Sequence, residues 1–249
     1  TGRTLLLGVA NDISELKDMI RSEQIVNRAL SQIVVDCDFD KNLRRVFDVF
    51  AEQADCDGVA FAVYDGEGAE YALQDVWTRS GLPAEMEVQQ RTIDRLLAAY
   101  GETMRDNELV MLSDAAKAEI FEGAQESVPR SVIGAPIFID EKLWAVIFVS
   151  FFRIRRHFSA VDEKLMRSMA SIIALARIRE RQEWAVKQAD HEKQMILDHI
   201  DIPIWLHDSK GELVRANTAV GELAGIASGR LTTEKNWEIF HANLPDGVL

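Results

Sequence analysis

The sequence predicts an α+β fold in which an antiparallel β-sheet carries helices on both sides and is flanked by long helices of coiled-coil type. Three observations lead there. Amphipathic helical segments precede the first strand-like stretch, two apolar runs ("RSVIGAPIFI" and "LWAVIFVSFF") are separated only by Asp140-Glu141-Lys142, and no proline occurs between Ser159 and Pro203.

Taken in order, the hydrophobic run Leu5 to Val9 reads as a last strand that stops at Asn11-Asp12. A helix then spans Ser14 to about Val35, with Leu16, Met19, Ile20, Ile25, Val26, Leu30, Ile33 and Val34 mostly three and four apart. "DKNLRRVFDVFAEQA" resumes helical spacing after Asp36 to Asp40. "GVAFAVYDGEGAEYALQDVW" reads as two strands joined at Asp65-Gly66-Glu67-Gly68, because glycine supplies the positive φ of tight turns. "TIDRLLAAYG" predicts a short helix ended by Gly101, "ELVMLS" a strand, and Ala115 to Glu122 a helix capped by Ser113 or Asp114.

The two apolar runs form the clearest hairpin. The second is apolar almost throughout, as expected of a central strand covered on both faces. Ser159 and Asp162 make a capping-box-like start to a long helix. Its stripe, Leu165, Met169, Ile172, Ala176, Ala189, Ile196 and Ile200, keeps coiled-coil-like spacing with a slip near Arg179 to Trp184, and calls for a parallel partner from a second copy. "IPIWLHD" and "GELVRAN" then read as two strands and "NTAVGELAGI" as a helix, too little for an independent core.

Composition narrows the function. The 249 residues, 47% of them hydrophobic, suit one large domain or two small ones, and 28 Lys and Arg against 41 Asp and Glu give a net charge of −13. That charge opposes attraction to nucleic acid and to anionic lipid. The longest apolar run, Leu143 to Phe152, falls far short of the roughly 20 residues of a membrane helix. Cys37 and Cys56 form neither a disulfide framework nor a metal-type pair, which fits a reducing, cytoplasmic setting.

On "GVAFAVYD", "SVIGAPIFIDEKLWAVIFV" and "RHFSAVDEKLMRSMASIIALAR", residues 22–182 resemble a GAF domain, a small-molecule sensor module. "ILDHIDIPIWLHDSKGELVRANTAVGELAGI" is similar to the start of a PAS domain, with Asp208, Gly211 and Asn217 at the family's strand, turn and helix-start positions. "GVANDISELK" is similar to a PAS domain's last strand, with Asp12-Ile13-Ser14 launching the output helix. These resemblances imply a PAS-GAF-PAS segment of a bacterial receptor of the sensor histidine kinase type. Residues 1–21 would be the end of one PAS domain and its output helix, 183–202 a linker helix, and 203–249 the front of another PAS domain. They imply signal transmission through a dimer, with no catalytic centre in this chain. Histidine kinase, cyclic-dinucleotide enzyme and transcription regulator all remain open as the output.

Of candidate sites, a GAF pocket is expected between the sheet and the segment Thr78 to Gln125, lined by Phe61, Val63, Trp77, Phe121, Ile133 and Pro136. Arg91 and Arg130 are in reach of an anionic ligand. For any one of the apolar residues core packing is the commoner role, and for the two arginines a surface salt bridge. No cofactor is identified: neither cysteine has the setting of a bilin anchor, no cyclic-nucleotide motif of the Asn-Lys-x-Phe-Asp-Glu type is present, and His157 reads as a packing residue more readily than as a haem ligand. His191-Glu192 lacks the rest of a phosphoacceptor box. His199 lies eight residues beyond His191, where helical metal ligands sit four apart. A redox enzyme of the same fold would need a low-pKa thiolate, and aspartates beside both cysteines oppose one.

Overall fold

The computed structural model describes residues 20, 23–24, 26–31, 38–65, 70–79, 86–124, 128–209 and 213–224, in two compact units, Thr1–Arg181 and Gln182–Leu249. The expected first strand Leu5 to Val9, the helix start at Ser14, Cys37, the glycine turn at Gly66 to Gly68 and the segment 225–249 lie outside the described residues.

In the first unit, helix α1 (Phe39–Ala54) starts where Asp38 accepts a hydrogen bond from the Lys41 amide at 3.1 Å, satisfying an orphan donor of the first turn. Strands β1 (Gly58–Tyr64) and β2 (Tyr71–Thr78), helix α2 (Met86–Arg105), and strands β3 (Val110–Leu112), β4 (Ser131–Ile139) and β5 (Lys142–Phe151) come next, before helix α3 (Ala160–Asp198). The strands form one antiparallel sheet in the order β2-β1-β5-β4-β3, so β5 is central, as its apolar run predicts. The β4–β5 turn places Asp140 and Glu141 at φ 51° and 62°, two successive left-handed residues whose twist matches the flanking strands.

Strand alternation divides the sheet into two apolar layers. Val59, Phe61, Ile133, Ile137, Ile147 and Val149 pack under α1, the first part of α3 and Ala29 of the helical residues 26–31. Ala60, Ala62, Val132, Val146 and Phe148 pack under α2 with Ile93, Leu96, Met104 and Phe121. Each large side chain fully withdrawn from water in these layers contributes about 1.5–3 kcal/mol.

Two sequence expectations need correction. Gly101 does not end its helix: α2 starts earlier, at Met86, and runs to Arg105, because carrying the apolar face on to Met104, which is completely buried, outweighs the roughly 1 kcal/mol that glycine costs inside a helix. The segment after Asp114 is not an α-helix but two 3-10 turns, Ala115–Lys117 and Glu119–Phe121, separated by extended Ala118. These tighter turns bring both Ala115 and Phe121 into the α2 layer.

A buried carboxylate ties the sheet ends together. Asp57, fully buried between α1 and β1, accepts from the amides of Phe152 (2.8 Å) and Arg153 (2.9 Å) and from Arg153 Nε (2.5 Å), with Arg79 Nε at 3.3 Å. Burial disfavours its charge, but the Arg153 amide and guanidinium and the Phe152 amide outweigh burial and hold the carboxyl below the usual carboxylate range. One side chain thereby fixes where α1 ends, where β5 ends and where β2 is anchored.

The second unit contains the last part of α3, a two-stranded hairpin of β6 (Trp205–His207) and β7 (Leu213–Ala216), and α4 (Thr218–Ala224). Among the described residues no helix is long and apolar enough to cross a membrane.

Two substitutions probe this packing. Asp57→Asn should cost about 1–3 kcal/mol at neutral pH, because an uncharged amide replaces the carboxylate that accepts from the Phe152 and Arg153 amides and from Arg153 Nε. A carboxyl with a lowered folded pKa stabilises above its unfolded pKa and loses that contribution as pH falls through the folded value. The difference between wild type and variant in urea denaturation should therefore shrink below about pH 4, and a pH-independent difference would refute the assignment. Gly134→Ala would place a Cβ 2.5 Å from the Phe148 ring and 2.7 Å from Met104 Cε. Overpacking of this kind should lower stability by about 1–3 kcal/mol, read as a fall in Tm.

Candidate functional site

The α2 layer is the one with polar chemistry beside apolar walls. Tyr71 donates its hydroxyl to Asp94 at 2.6 Å, Gln90 donates to the same oxygen at 2.7 Å, and Arg95 reaches the Ile120 carbonyl at 2.9 Å. Burial, then the hydrogen bond to Asp94, pushes the Tyr71 hydroxyl pKa up, so Tyr71 stays a neutral donor. Gln89 and Thr92 are buried on the same helix. Around Gly134 the space is taken by Phe148 and Met104, and a ligand there would have to displace side chains that already fill it.

Of the residues the sequence proposed for a pocket, the structure brings only Phe121 into this layer. Phe61, Val63, Trp77 and Ile133 belong to the opposite one. Phe61 meets Phe39 (6.2 Å), Phe47 (6.4 Å) and Trp144 (5.7 Å) there, an aromatic cluster that seats α1 on the sheet. Pro136 is buried in β4 and lines a groove along α3, while Arg91 and Arg130 are exposed. Along "GVAFAVY" it is Ala60, Ala62 and Tyr64 that face α2. A strand apolar on both faces offers no parity signal, which is why its alternation cannot be assigned to the correct side from sequence.

The stripe on α3 divides likewise. Leu165, Met169, Ile172 and Ala176 are buried within their own chain, the first three against Val26, Val46, Val49 and Phe50. They cannot meet a second copy, because the sheet, α1 and residues 26–29 already cover them. Ala189 and Ile196 are exposed and Ile200 is partly so.

The junction between β5 and α3 is tightly held. Arg156 donates to the Ala54 carbonyl at 2.9 Å and to Asp162 at 2.6 Å, and lies over the Phe151 ring. Asp162 also accepts from the Ser159 amide and hydroxyl, both at 2.9 Å, the reciprocal half of a capping box. Further along, Glu180 accepts from the Phe39 amide at 3.1 Å and pairs with Arg177, whose guanidinium lies over Phe39 and Trp144.

In the second unit Asn217 gathers the end of the same helix. Its amide nitrogen donates to the carbonyls of Leu197 (3.1 Å), Ile200 (2.9 Å) and Ile202 (2.9 Å), while its oxygen accepts from the Ile204 amide at 2.9 Å. Asp198 accepts from the Thr218 amide (2.8 Å) and hydroxyl (2.9 Å). Sequence reasoning places Asn217 at a helix start but misses that it satisfies carbonyls at the end of α3 and in the turn that follows.

Cys56 is completely buried, and burial, with the neighbouring Asp57 charge second, pushes its thiol up to about 12. His157, His191 and His199 are exposed, and no cluster of His, Cys, Asp and Glu that would hold a metal occurs among the described residues.

None of the curated proteins compared with the chain matches it. Among solved structures, the GAF domain of a phosphoenolpyruvate-protein phosphotransferase from Coxiella burnetii superposes with TM-score 0.52 at 16% identity, covering 67% of this chain and 98% of that one. A GAF domain from Synechocystis sp. PCC6803 in its photoproduct state gives 0.51 at 17% identity (61% and 99% covered). Free methionine-R-sulfoxide reductase from Neisseria meningitidis in complex with its substrate gives 0.51 at 19% (65% and 91%). At such identities the likeness is one of fold. Family membership rests on sequence: the model of the GAF domain family matches residues 38–176, more than half of the chain, and the chain therefore belongs to the GAF domain family.

Proposed function

We propose that this chain is the sensory and signal-transmitting segment of a bacterial receptor, PAS-GAF-PAS in arrangement. It acts as a cytoplasmic homodimer and passes a conformational signal along α3 to an output domain such as a histidine kinase. One observation carries the reading. The 39-residue helix α3 starts at the junction with the central strand, where Arg156 and Asp162 fasten it, and ends in hydrogen bonds to Asn217. A change in the GAF core is thus delivered to a helix that extends well beyond that core. Transmission requires a ligand or partner that binds two arrangements of the core unequally.

Three of the similar structures set two rival expectations. Cyanobacterial phytochrome GAF domains of this fold hold phycoerythrobilin or phycocyanobilin, and the reductase acts on methionine sulfoxide. For Cys56 both roles are disfavoured, since a completely buried thiol with so high a pKa is neither a nucleophile nor open to a tetrapyrrole. We therefore assign Cys56 no catalytic step. A second reading, a ligand-free dimerising spacer, is favoured by the filled space around Gly134.

Native mass spectrometry with ultraviolet-visible absorption separates the two. Added mass, or a band beyond the aromatic region, identifies a bound small molecule, whereas an apo dimer without such a band favours the spacer. For transmission itself, inserting four residues near Gln188 rotates the downstream face of α3 relative to the upstream one by about 40° and should change output from the full-length receptor. Unchanged output would overturn the relay.

A further inference from the structure

A single turn of α3 stands between the part of the helix that the domain buries and the part that it leaves in water. As far as Ala176 the helix is held by buried apolar side chains, and Arg181 and Gln182 are exposed. Between them Arg177, Ile178, Arg179 and Glu180 are all partly buried. Glu180 divides its carboxylate between two partners, the Phe39 amide at 3.1 Å and the Arg177 guanidinium. That guanidinium lies 5.5 Å from the centre of the Phe39 ring and 5.9 Å from that of Trp144, and the two rings meet each other edge-on at 5.6 Å. Arg181, the next residue, faces Asp140 of the β4–β5 turn at 3.6 Å. The turn therefore grips the start of α1, the start of β5 and the hairpin between β4 and β5.

We propose that Arg177 and Glu180 are a latch, closed in this structure, whose opening frees α3 from Arg177 onward while the stripe below it stays buried. An ordinary pair three residues apart on one helix is complete in itself. Here each member takes a second partner from another element, so the set closes only when α1, β5 and α3 are in place together. The Phe39 amide is one of the first-turn donors that a helix cannot satisfy internally. Asp38 takes the Lys41 amide of the same turn, and the acceptor for Phe39 comes from α3, with its negative charge at the favourable end of the α1 dipole. The strength of the hold also changes at this point. Below Arg177 it comes from apolar burial, whereas the side chains of Arg177 and Glu180 are 39% and 31% exposed. Water can replace a hydrogen bond or a cation–π contact at such a site, so the latch can part without uncovering the core.

The consequence is a direct connection between α1 and the outgoing helix. Any displacement that moves Phe39 or Trp144 weakens the grip on α3, and release of α3 loosens the first turn of α1 by the same factor, as linkage requires. This goes beyond the proposed relay, and it holds whether the domain senses a small molecule or is a spacer.

Spin-label distances test the latch in the full chain with Cys37→Ser, Cys56 being buried, and with labelled chains diluted in unlabelled ones so that only distances within one chain are read. Nitroxides on Asp48→Cys and Gln182→Cys, both exposed positions, report α1 against the released part of α3, and Asp48→Cys with Lys164→Cys reports α1 against the held part. The unsubstituted latch should give one narrow distribution for each pair. Glu180→Ala or Arg177→Ala should add a second Asp48–Gln182 distance, raising the open population at least about tenfold from a minor state, with the Asp48–Lys164 distance unchanged. Glu180→Gln, a milder change that keeps an acceptor for the Phe39 amide, should shift the same pair less. An Asp48–Gln182 distribution that stays single in all three variants overturns the latch. So does a change in both pairs together with loss of helical circular dichroism, which would make the turn part of the core. Either result leaves the relay to be judged by the insertion near Gln188.

Discussion

The constraint on which the rest of the structure depends is that the central strand of the sheet is apolar on both faces. β5 runs from Lys142 to Phe151 with every residue from Ala145 onward buried, and its neighbours β1 and β4 are nearly as apolar. Such a strand is stable only if both sides are covered. One side is taken by α1 and the first part of α3, the other by α2 and the two 3-10 turns. The division of labour follows from the division of cover: one side of the sheet is continuous with the outgoing helix, and the other is closed by an element that ends inside the domain.

The sheet is tied to its neighbours at the strand ends by side chains that hold backbone groups. Around Gly134 the sheet interior is closely packed, leaving little room for local rearrangement there. Beyond the packing, backbone groups at the strand ends are held by side chains. Asp57 holds the amides of Phe152 and Arg153, and Arg156 links the Ala54 carbonyl to Asp162 in the first turn of α3. A buried carboxylate bound by two amides and a guanidinium has few other acceptable geometries, because leaving the carboxylate or either amide unpaired inside costs about 1–3 kcal/mol or more. The junction is accordingly tightly held, as the relay proposed above requires.

How much of this is legible in the sequence depends on whether a residue's surroundings are local. The β4–β5 hairpin, the capping pair Ser159 and Asp162 and the long α3 are properties of short segments, and all are readable. The facing of Phe61 is not, because "GVAFAVY" is apolar at each position and alternation has no polar side to mark it. The end of α2 is misjudged at Gly101 because a local glycine penalty of about 1 kcal/mol is smaller than the tertiary gain from burying Met104. The stripe on α3 is recognisably apolar, but a spacing of three and four is the same whether the partner is a second chain or the domain's own sheet. Asn217 is placed correctly at a helix start, yet its three carbonyl acceptors come from a turn distant in sequence, which no local pattern encodes.

The uneven burial of α3 locates where a signal can alter it. Between Leu165 and Ala176 the helix buries Leu165, Met166, Met169, Ile172 and Ile173, each worth about 1.5–3 kcal/mol, so sliding this portion by one residue would forfeit far more than any ordinary effector supplies. Beyond Arg181 nearly every side chain up to Lys193 is exposed, and exposed ion pairs or polar contacts contribute at most about 1 kcal/mol each. Alternative packings within reach of a ligand of ordinary coupling strength must therefore differ in the exposed portion of the helix, with the buried portion moving rigidly with the sheet. Glu180, accepting from the Phe39 amide and paired with Arg177, stands at the boundary between these regimes. For the relay proposed above, the motion of least cost is displacement of the buried segment together with the sheet, since either sliding or rotating it against the sheet forfeits the burial of this stripe.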